Sequence, residues 1–405
     1  NHHLPESAMQ KIIQLADWWS AGIDRSQPGT FEVDQKPNET INWGKARYKK
    51  IPLYSIFNKI NGGNFQAGFK LNPLTIDDHQ KFFPGEITKI EQGLSQEHYK
   101  KLWDLFVDEF VKLPTDSFRG FFDSLTFLLK KYTWCIPSNT TDMSDVSLYE
   151  HLKTTAAISH CLYRFSEIFK DDLVTSNSGN SISVERGKFP LVLVGGDISG
   201  IQKFIYNIAS SKASKSLKGR SFYFQLLIDS VIQRILNHPD VQVNYAHIVY
   251  ASGGKFYMLL PNIPDVLDAL KTVSESVQNE LWNDHHGSIH FATAFVPFAY
   301  RSRQNTDKKW ESFIEMDCDG KLVEASIGHI WKQLADKLTV KKNKPFESLL
   351  LKNFNAFFNE ASEELKSGGL VKTCSVTGIE LKKGKGKELD KNIYVTDRVF
   401  EQTEL

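Results

Sequence analysis

The spacing of apolar and polar positions divides the chain into helical stretches on either side of a mixed central segment. Met9, Ile12, Ile13, Ala16 and Trp19 recur with the 3.6-residue period of an amphipathic helix, and Gly22 is a fitting C-terminal stop. Residues 26–50 are polar and contain Pro28, Gly29, Pro37 and Gly44, so they predict a loop. Pro52–Phe57 and Gly68–Leu71 predict short extended pieces. Helical spacing returns between Leu94 and Tyr132, through Leu102, Leu105, Phe106 and Phe110 and then Phe118, Phe121, Phe122, Leu125, Leu128 and Leu129. A further helix carries Ala156, Ala157, Ile158, Cys161 and Leu162, and Asn177–Ser181 has the composition of a linker.

Beyond that linker the period changes. The pattern predicts a strand over 190–197, helices over 200–210 and 216–237, strands over 246–251 and 255–260, a helix over 264–283 and a strand over 288–296. With the two consecutive helices counted as one crossover, the order is βαββαβ. That is the ferredoxin-like arrangement, also the core of polymerase and cyclase palms. Helix 216–237 shows the apolar set Phe222, Phe224, Leu226, Leu227, Val231 and Leu236. Arg301–Lys321 is polar and charged, helices are expected near 323–338 and 345–366, and Lys382–Lys391 has the look of a hairpin tip. The predicted fold class is α+β.

Composition narrows the picture modestly. A chain of 405 residues is long enough for two or three domains, and 41% apolar with 24% charged residues is ordinary for a soluble protein. A net charge of +1 gives no global attraction to nucleic acid, so such binding must come from local patches. Four cysteines, Cys135, Cys161, Cys318 and Cys374, show no pairing spacing, which suits a reducing cytoplasm. No apolar run is long enough to span a bilayer and no signal-peptide pattern occurs, so a cytoplasmic location without membrane contact is expected. The first residue is Asn1 rather than Met, which suggests a cropped product.

Three groups of residues carry candidate chemistry. His2, His3, Asp17 and His151 are donors of the kind a divalent-metal hydrolase requires; equally, each suits a helix surface or a satisfied hydrogen bond. Ile198–Ile228 contains Lys203, Lys212, Lys215, Lys218 and Arg220 and no acidic residue. That run reads either as a solvated helix face or as contact with phosphate from RNA or a nucleotide. The third group is the pair of glycine motifs. Gly195-Gly196-Asp197 ends the first strand, and Ser252-Gly253-Gly254-Lys255-Phe256 forms the hairpin between the second and third. The hairpin has lysine where a two-metal palm has paired aspartates, so this palm should not catalyse alone. Its glycines let backbone approach a triphosphate, with Lys255 adding charge, or they simply make a tight turn. Cys374 has Thr377, Thr396 and Val399 where further thiols would complete a knuckle, so no zinc is expected.

Several motifs occur together in one order: His2-His3, Ala16–Arg25, Pro52–Asn58, Trp134–Ser138, Asp145–His151, Gly196–Tyr206, Leu217–Tyr223 and Tyr250–Leu260. In this the chain resembles the large subunit of type III-A CRISPR effector complexes, the Csm-type, Cas-ten family. The resemblance implies a helical HD-type nuclease domain over 1–175 that lacks its N-terminal part. It implies a first, ferredoxin-like palm over 185–305 and a small α+β linker domain over 306–405 with a degenerate zinc-knuckle pattern. It implies that Asp17 and His151, with His2 and His3, help hold divalent metals (Mn, Mg or Ni) for cleavage of single-stranded DNA. Asp197, Ser199, Gly253, Gly254 and Lys255 would face ATP with Mg at a palm interface, where cyclic oligoadenylate is made. Lys212, Lys215, Lys218 and Arg220 would lie near RNA, a partner subunit or phosphate. The implied partners are guide RNA, target RNA, other Csm-type subunits, single-stranded DNA and ATP. The chain departs from the family in three ways: the initial His-Asp pair and the Gly-Gly-Asp-Asp palm are missing, and Glu150 stands where the family has aspartate. The rival readings are a non-catalytic scaffold of an RNA complex with a degenerate palm, and an HD phosphohydrolase in nucleotide signalling.

Overall fold

The computed structural model describes residues 5–24, 51–60, 67–78, 81–140, 144–175, 181–206, 213–285, 287–304, 310–318, 320–352, 354, 372–376, 381 and 386–404. Its first half holds α1 (Ala8–Asp24), β1 (Leu53–Tyr54), α2 (Phe57–Ile60), β2 (Ala67–Phe69), β3 (Gly85–Glu86), α3 (Ile87–Gly93), α4 (Gln96–Phe110), α5 (Phe118–Thr133), α6 (Leu148–Ile168), β4 (Leu173–Thr175) and β5 (Ile182–Val184). Then come β6 (Leu191–Ser199), α7 (Ile201–Tyr206), α8 (Ala213–Leu236), β7 (Ile248–Ser252), β8 (Lys255–Pro261), α9 (Pro264–His285), β9 (His290–Gln304), β10 (Trp310–Cys318) and β11 (Lys321–Ala325). The chain closes with α10 (Ile327–Lys342), α11 (Glu347–Lys352), β12 (Lys387–Asp390), β13 (Ile393–Val395) and α12 (Asp397–Glu404). It divides into two compact units. One comprises Asn1–Leu191, Asn244–His247 and Ala299–Glu315; the other comprises Val192–Val243, Ile248–Phe298 and Met316–Leu405.

In the first unit α1 packs on α6. The buried set Ile12, Leu15, Ala16 and Trp19 follows the helical period and meets Ala157, Ile158, Cys161, Leu162 and Phe165. Fully burying each large side chain contributes about 1.5–3 kcal/mol, so this face fixes the helix pair. Ser117 and Ser147 start α5 and α6, each side chain accepting from the backbone N–H three residues on, of Gly120 and Glu150. Leu102, Leu128, Tyr132 and Cys135 form a second core cluster beneath α4 and α5.

A six-stranded sheet has the order β11-β10-β9-β6-β8-β7. The last strand of the βαββαβ unit, β9, therefore lies beside the first, β6, which lies beside the third, β8. From Leu191 to Ile198, β6 is buried throughout. Helix α8 buries Phe224, Ile228, Val231, Ile232, Ile235 and Leu236. This corrects the apolar set expected from sequence, because Phe222 and Leu226 are 47% and 43% exposed. At 3.6 residues per turn they lie about 120° and 160° round the helix from the centre of the true stripe, toward its outer face.

A second correction concerns the start of the helix expected near 323–338, beyond the polar and charged stretch 301–321. β9 runs to Gln304, β10 follows, and β11 takes 321–325, so the helix expected from 323 starts at Ile327. The charged residues fit strands because they are paired. Glu315 is fully buried, and its carboxylate meets Arg301 at 2.8 Å and Arg186 at 3.2 Å and accepts from Gly187 N at 3.0 Å.

A buried histidine pair ties α6 to the short helix Tyr245–His247 inside the first unit. His160 Nδ1 and His247 Nε2 lie 3.0 Å apart, and His247 has no exposed surface. Only one proton fits between two nitrogens, so at most one ring donates. Burial pushes the His160 pKa down to about 4, with Arg164 adding to the effect. Burial, then His160 itself, pushes that of His247 down to about 3. The unfolded chain protonates both near the ordinary value of about 6.5, so stability is full above that pH and is lost as pH falls from 6.5 toward 4 and 3. Thermal melts should therefore show Tm falling with acidification through this window. His160→Gln should flatten the slope; an unchanged slope would exclude the pair as its source.

Candidate functional site

The first candidate site lies where α1 and α6 meet. Burial of Ala16 sets Asp17 at the rim of the helix pair with 39% of its side chain exposed. The Ser147 cap starts α6 so that His151 falls one turn in. His151 Nε2 stands 3.1 Å from Asp17 Oδ1, and His151 Nδ1 stands 3.2 Å from Ser20 Oγ. In the neutral ring Nε2–H donates to Asp17, and Nδ1 and the His151 carbonyl oxygen, both 3.2 Å away, share the proton of the buried Ser20 hydroxyl. The imidazole is thereby locked, and it orients the carboxylate. Glu150 is not part of this arrangement. Its side chain is 51% exposed and pairs with Lys153 at 3.0 Å, while its backbone N–H serves the helix cap. His2 and His3 lie outside the described residues. Asp17 and His151 are oxygen and nitrogen donors of the right chemistry for a hard or borderline divalent metal. Among the described residues, no group of three or more His, Cys, Asp or Glu is arranged to hold a metal ion.

The second candidate site lies at the end of β6. Gly253 and Gly254 have φ of +63° and +82°, the conformation that a two-residue hairpin turn between β7 and β8 requires. The turn is pinned to β6 by Ile198 N donating to Gly254 O at 2.8 Å. Gly196 makes room for the Phe256 ring, which a Cβ at 196 would approach within 2.2 Å. This close packing brings Lys255 to Asp197, Nζ to Oδ2, at 3.5 Å. From the end of α10, Lys342 Nζ reaches the same Oδ2 at 3.1 Å. Ser199, two residues along the strand, shares the face of Asp197. So Asp197, Ser199, Gly254 and Lys255 come together as a cluster, with Gly253 at the turn's outer position.

The basic run divides differently. Lys212 lies outside the described residues, and the side chain of Lys215 within α8 is likewise not described. Lys218 is exposed. Arg220 is corrected: it is 2% exposed, places its guanidinium 4.3 Å over the Phe204 ring and donates to Phe204 O. Burial lowers its pKa to about 10. It is a packing residue inside the second unit, unable to meet RNA from there. Cys374 lies in an apolar cluster with Val376, Leu381, Leu389, Val395 and Val399.

Known proteins share this chain's pattern. A family model described as Csm1 subunit domain B matches residues 190–360. A single-strand-specific deoxyribonuclease Cas10/Csm1 of a subtype III-A CRISPR system, from Methanocaldococcus jannaschii, is 29% identical over 376 residues, which cover 87% of this chain and 43% of the relative. Its counterpart from Enterococcus italicus is 28% identical over 385 residues, covering 90% of this chain and 46% of the relative. Over most of its length the chain is similar to Csm1/Cas10 proteins. The crystal structure of Csm1 from T. onnurineus superposes with a TM-score of 0.56 at 23% identity, covering 82% of this chain and 38% of that one. A Csm1–Csm4 cassette in complex with cA4 gives a TM-score of 0.52 at 24% identity, over 74% of this chain and 35% of the other. These two likenesses concern the fold. The chain spans less than half the length of the Csm1 relatives it matches.

Sequence reasoning missed Lys342. The signal was weak, because a lysine in the last turn of a helix is ordinary favourable pairing with the helix dipole. Nothing local marks it as crossing to another element. Ser20 was missed for a similar reason: a serine on an apolar helix face has many uses.

The two turn glycines make unequal demands. A Cβ at Gly253 meets nothing within 4 Å, whereas one at Gly254 would fall 2.1 Å from Ile201 Cδ1. Gly253→Asn should keep Tm close to that of the parent. Gly254→Ala should lower stability by about 1–3 kcal/mol through its backbone conformation and the displaced Ile201. Denaturant titration of the two variants checks this ordering.

Proposed function

We propose that this chain is the HD-type and first-palm portion of the large subunit of a type III-A CRISPR effector complex. The reading carried furthest by one observation is nucleotide binding at the second site, where two lysines converge on the buried carboxylate of Asp197 beside a glycine hairpin. The strand order β9-β6-β8-β7 supports a ferredoxin-like palm there. Over 1–175 we assign an incomplete HD-type domain and over 306–405 a small linker domain. In the whole protein, the palm's Asp197, Ser199, Gly253, Gly254 and Lys255 would face ATP, with Mg entering at the interface with a second palm. The relatives' description as single-strand-specific deoxyribonucleases supports DNA cleavage at the first site. The partners proposed are guide RNA and target RNA through the complex, other Csm-type subunits, single-stranded DNA and ATP, in the cytoplasm. Among the described residues no helix is long and apolar enough to cross a membrane.

At the first site a divalent cation would supply Lewis-acid activation of a phosphodiester. The chain's own contribution is Asp17 as an oxygen donor, with His2 and His3 as further donors. His151 orients Asp17 through Nε2, and Ser20 keeps the imidazole turned the right way.

The test is Mn-dependent cleavage of single-stranded DNA by the intact protein assembled with guide RNA and target RNA. Asp17→Ala should abolish cleavage. His151→Ala should reduce it about 10–100-fold, the usual cost of losing a residue that orients a metal ligand. Cleavage at parental rates in both variants would remove the site. Independently, Lys255→Ala should weaken ATP binding about tenfold with little change in Tm, since the side chain is 48% exposed on a hairpin. Unchanged ATP affinity would end the role given to that lysine.

A further inference from the structure

The end of β6 carries more positive charge than packing requires. Asp197 is 5% exposed, and a single oxygen of its carboxylate takes both Lys342 and Lys255. One carboxylate cannot neutralise two ammonium groups, so the cluster keeps one positive charge. The two lysines arrive from different elements, one from the last turn of α10 and one from the hairpin tip. Their side chains are 35% and 48% exposed, so both present a face to solvent. Because both ammonium nitrogens sit on the same oxygen, they stand within one phosphate group's reach of each other.

Two neighbouring polar atoms, Ser199 Oγ and His290 Nε2, are buried without a hydrogen-bond partner. Ser199 follows Asp197 on the same face of β6. His290 begins the adjacent β9, where its ring interacts electrostatically with Asp197. Buried polar atoms normally find partners, and those that lack one often mark a place for a ligand.

The geometry points to a polyphosphate-binding cluster of Lys255, Lys342 and Ser199 that takes the phosphates of a nucleoside triphosphate directly, without a divalent cation bridging to Asp197. The inference rests on the nucleotide-binding reading above. It adds Lys342 to the site and gives Asp197 a different task. Asp197 holds the two ammonium groups together until phosphate oxygens displace it. A divalent cation approaching that carboxylate would meet two ammonium groups first and be repelled, whereas an anion is drawn to the same place. Lysine acts on phosphate as a point charge, so two of them on one centre are well suited to a flexible polyphosphate.

The deciding experiment is calorimetric titration of ATP into the 405-residue chain, once with EDTA and once with Mg²⁺. The parent, Lys342→Ala and Asp197→Asn are compared, with thermal melts to confirm folding. The parent should bind ATP in EDTA, and inorganic tripolyphosphate should compete. Lys342→Ala should weaken binding about tenfold or more. Asp197→Asn should bind ATP several-fold more tightly in EDTA, because the competing carboxylate is gone. Binding that needs Mg²⁺ and vanishes in Asp197→Asn would make Asp197 a metal ligand and overturn the inference, leaving the nucleotide reading intact. Parental affinity in Lys342→Ala would overturn it too, as would Asp197→Asn binding no more tightly than the parent. Should Asp197→Asn fail to fold, Lys342→Ala and the EDTA comparison still decide. If the parent binds no ATP under either condition, the nucleotide reading itself falls.

Discussion

The second unit depends on how closely two elements approach β6 from its opposite faces. On one face the Phe256 ring fills the space that a side chain at position 196 would need. On the other, a Cβ at Gly195 would lie 2.9 Å from Leu338 Cδ1 and 3.2 Å from Leu334 Cδ2. Consecutive residues of a strand face opposite ways, so two glycines in a row open both faces at the same level. The first opening seats α10 on the sheet; the second seats the base of the hairpin. Asp197 comes next in the chain, at the place where both arrivals end. A lysine from each then reaches it.

Much of this could be read from the sequence. The change of period near residue 190 marked the mixed segment, and Ser-Gly-Gly-Lys between two apolar runs marked the hairpin. The helical period placed Ala16 inward and so left Asp17 at a rim. What escaped was non-local. Arg220 looked like one cation of a basic run because neighbours in sequence cannot reveal that its guanidinium lies over Phe204. Residues 301–321 showed no strand signal because paired charges resemble solvated ones. Glu315 is compatible with a buried strand only because Arg301, fourteen residues earlier on β9, meets it there. The same blindness hid Lys342.

The two candidate sites show how surroundings set the use of one residue type. Asp17 is held by a single imidazole, itself held by Ser20, and keeps 39% of its side chain exposed. A carboxylate so oriented, with an imidazole as its partner, retains its attraction for a cation. Asp197 has only 7% of its side chain exposed and two ammonium partners. Its negative charge is spent inside the cluster.

Burial sharpens that contrast. A carboxylate taken out of water is costly unless paired, and one lysine would suffice to offset the cost. The second lysine therefore does nothing further for Asp197. It adds desolvation and mutual repulsion between ammonium groups, which a folded protein tolerates where another anion relieves it. The Ser199 hydroxyl oxygen, buried without a partner, is unfavourable in the same way and is relieved by the same event. Two separate costs gathered at the end of β6, each removed by an incoming anion with several oxygens, argue for a binding surface rather than a packing accident.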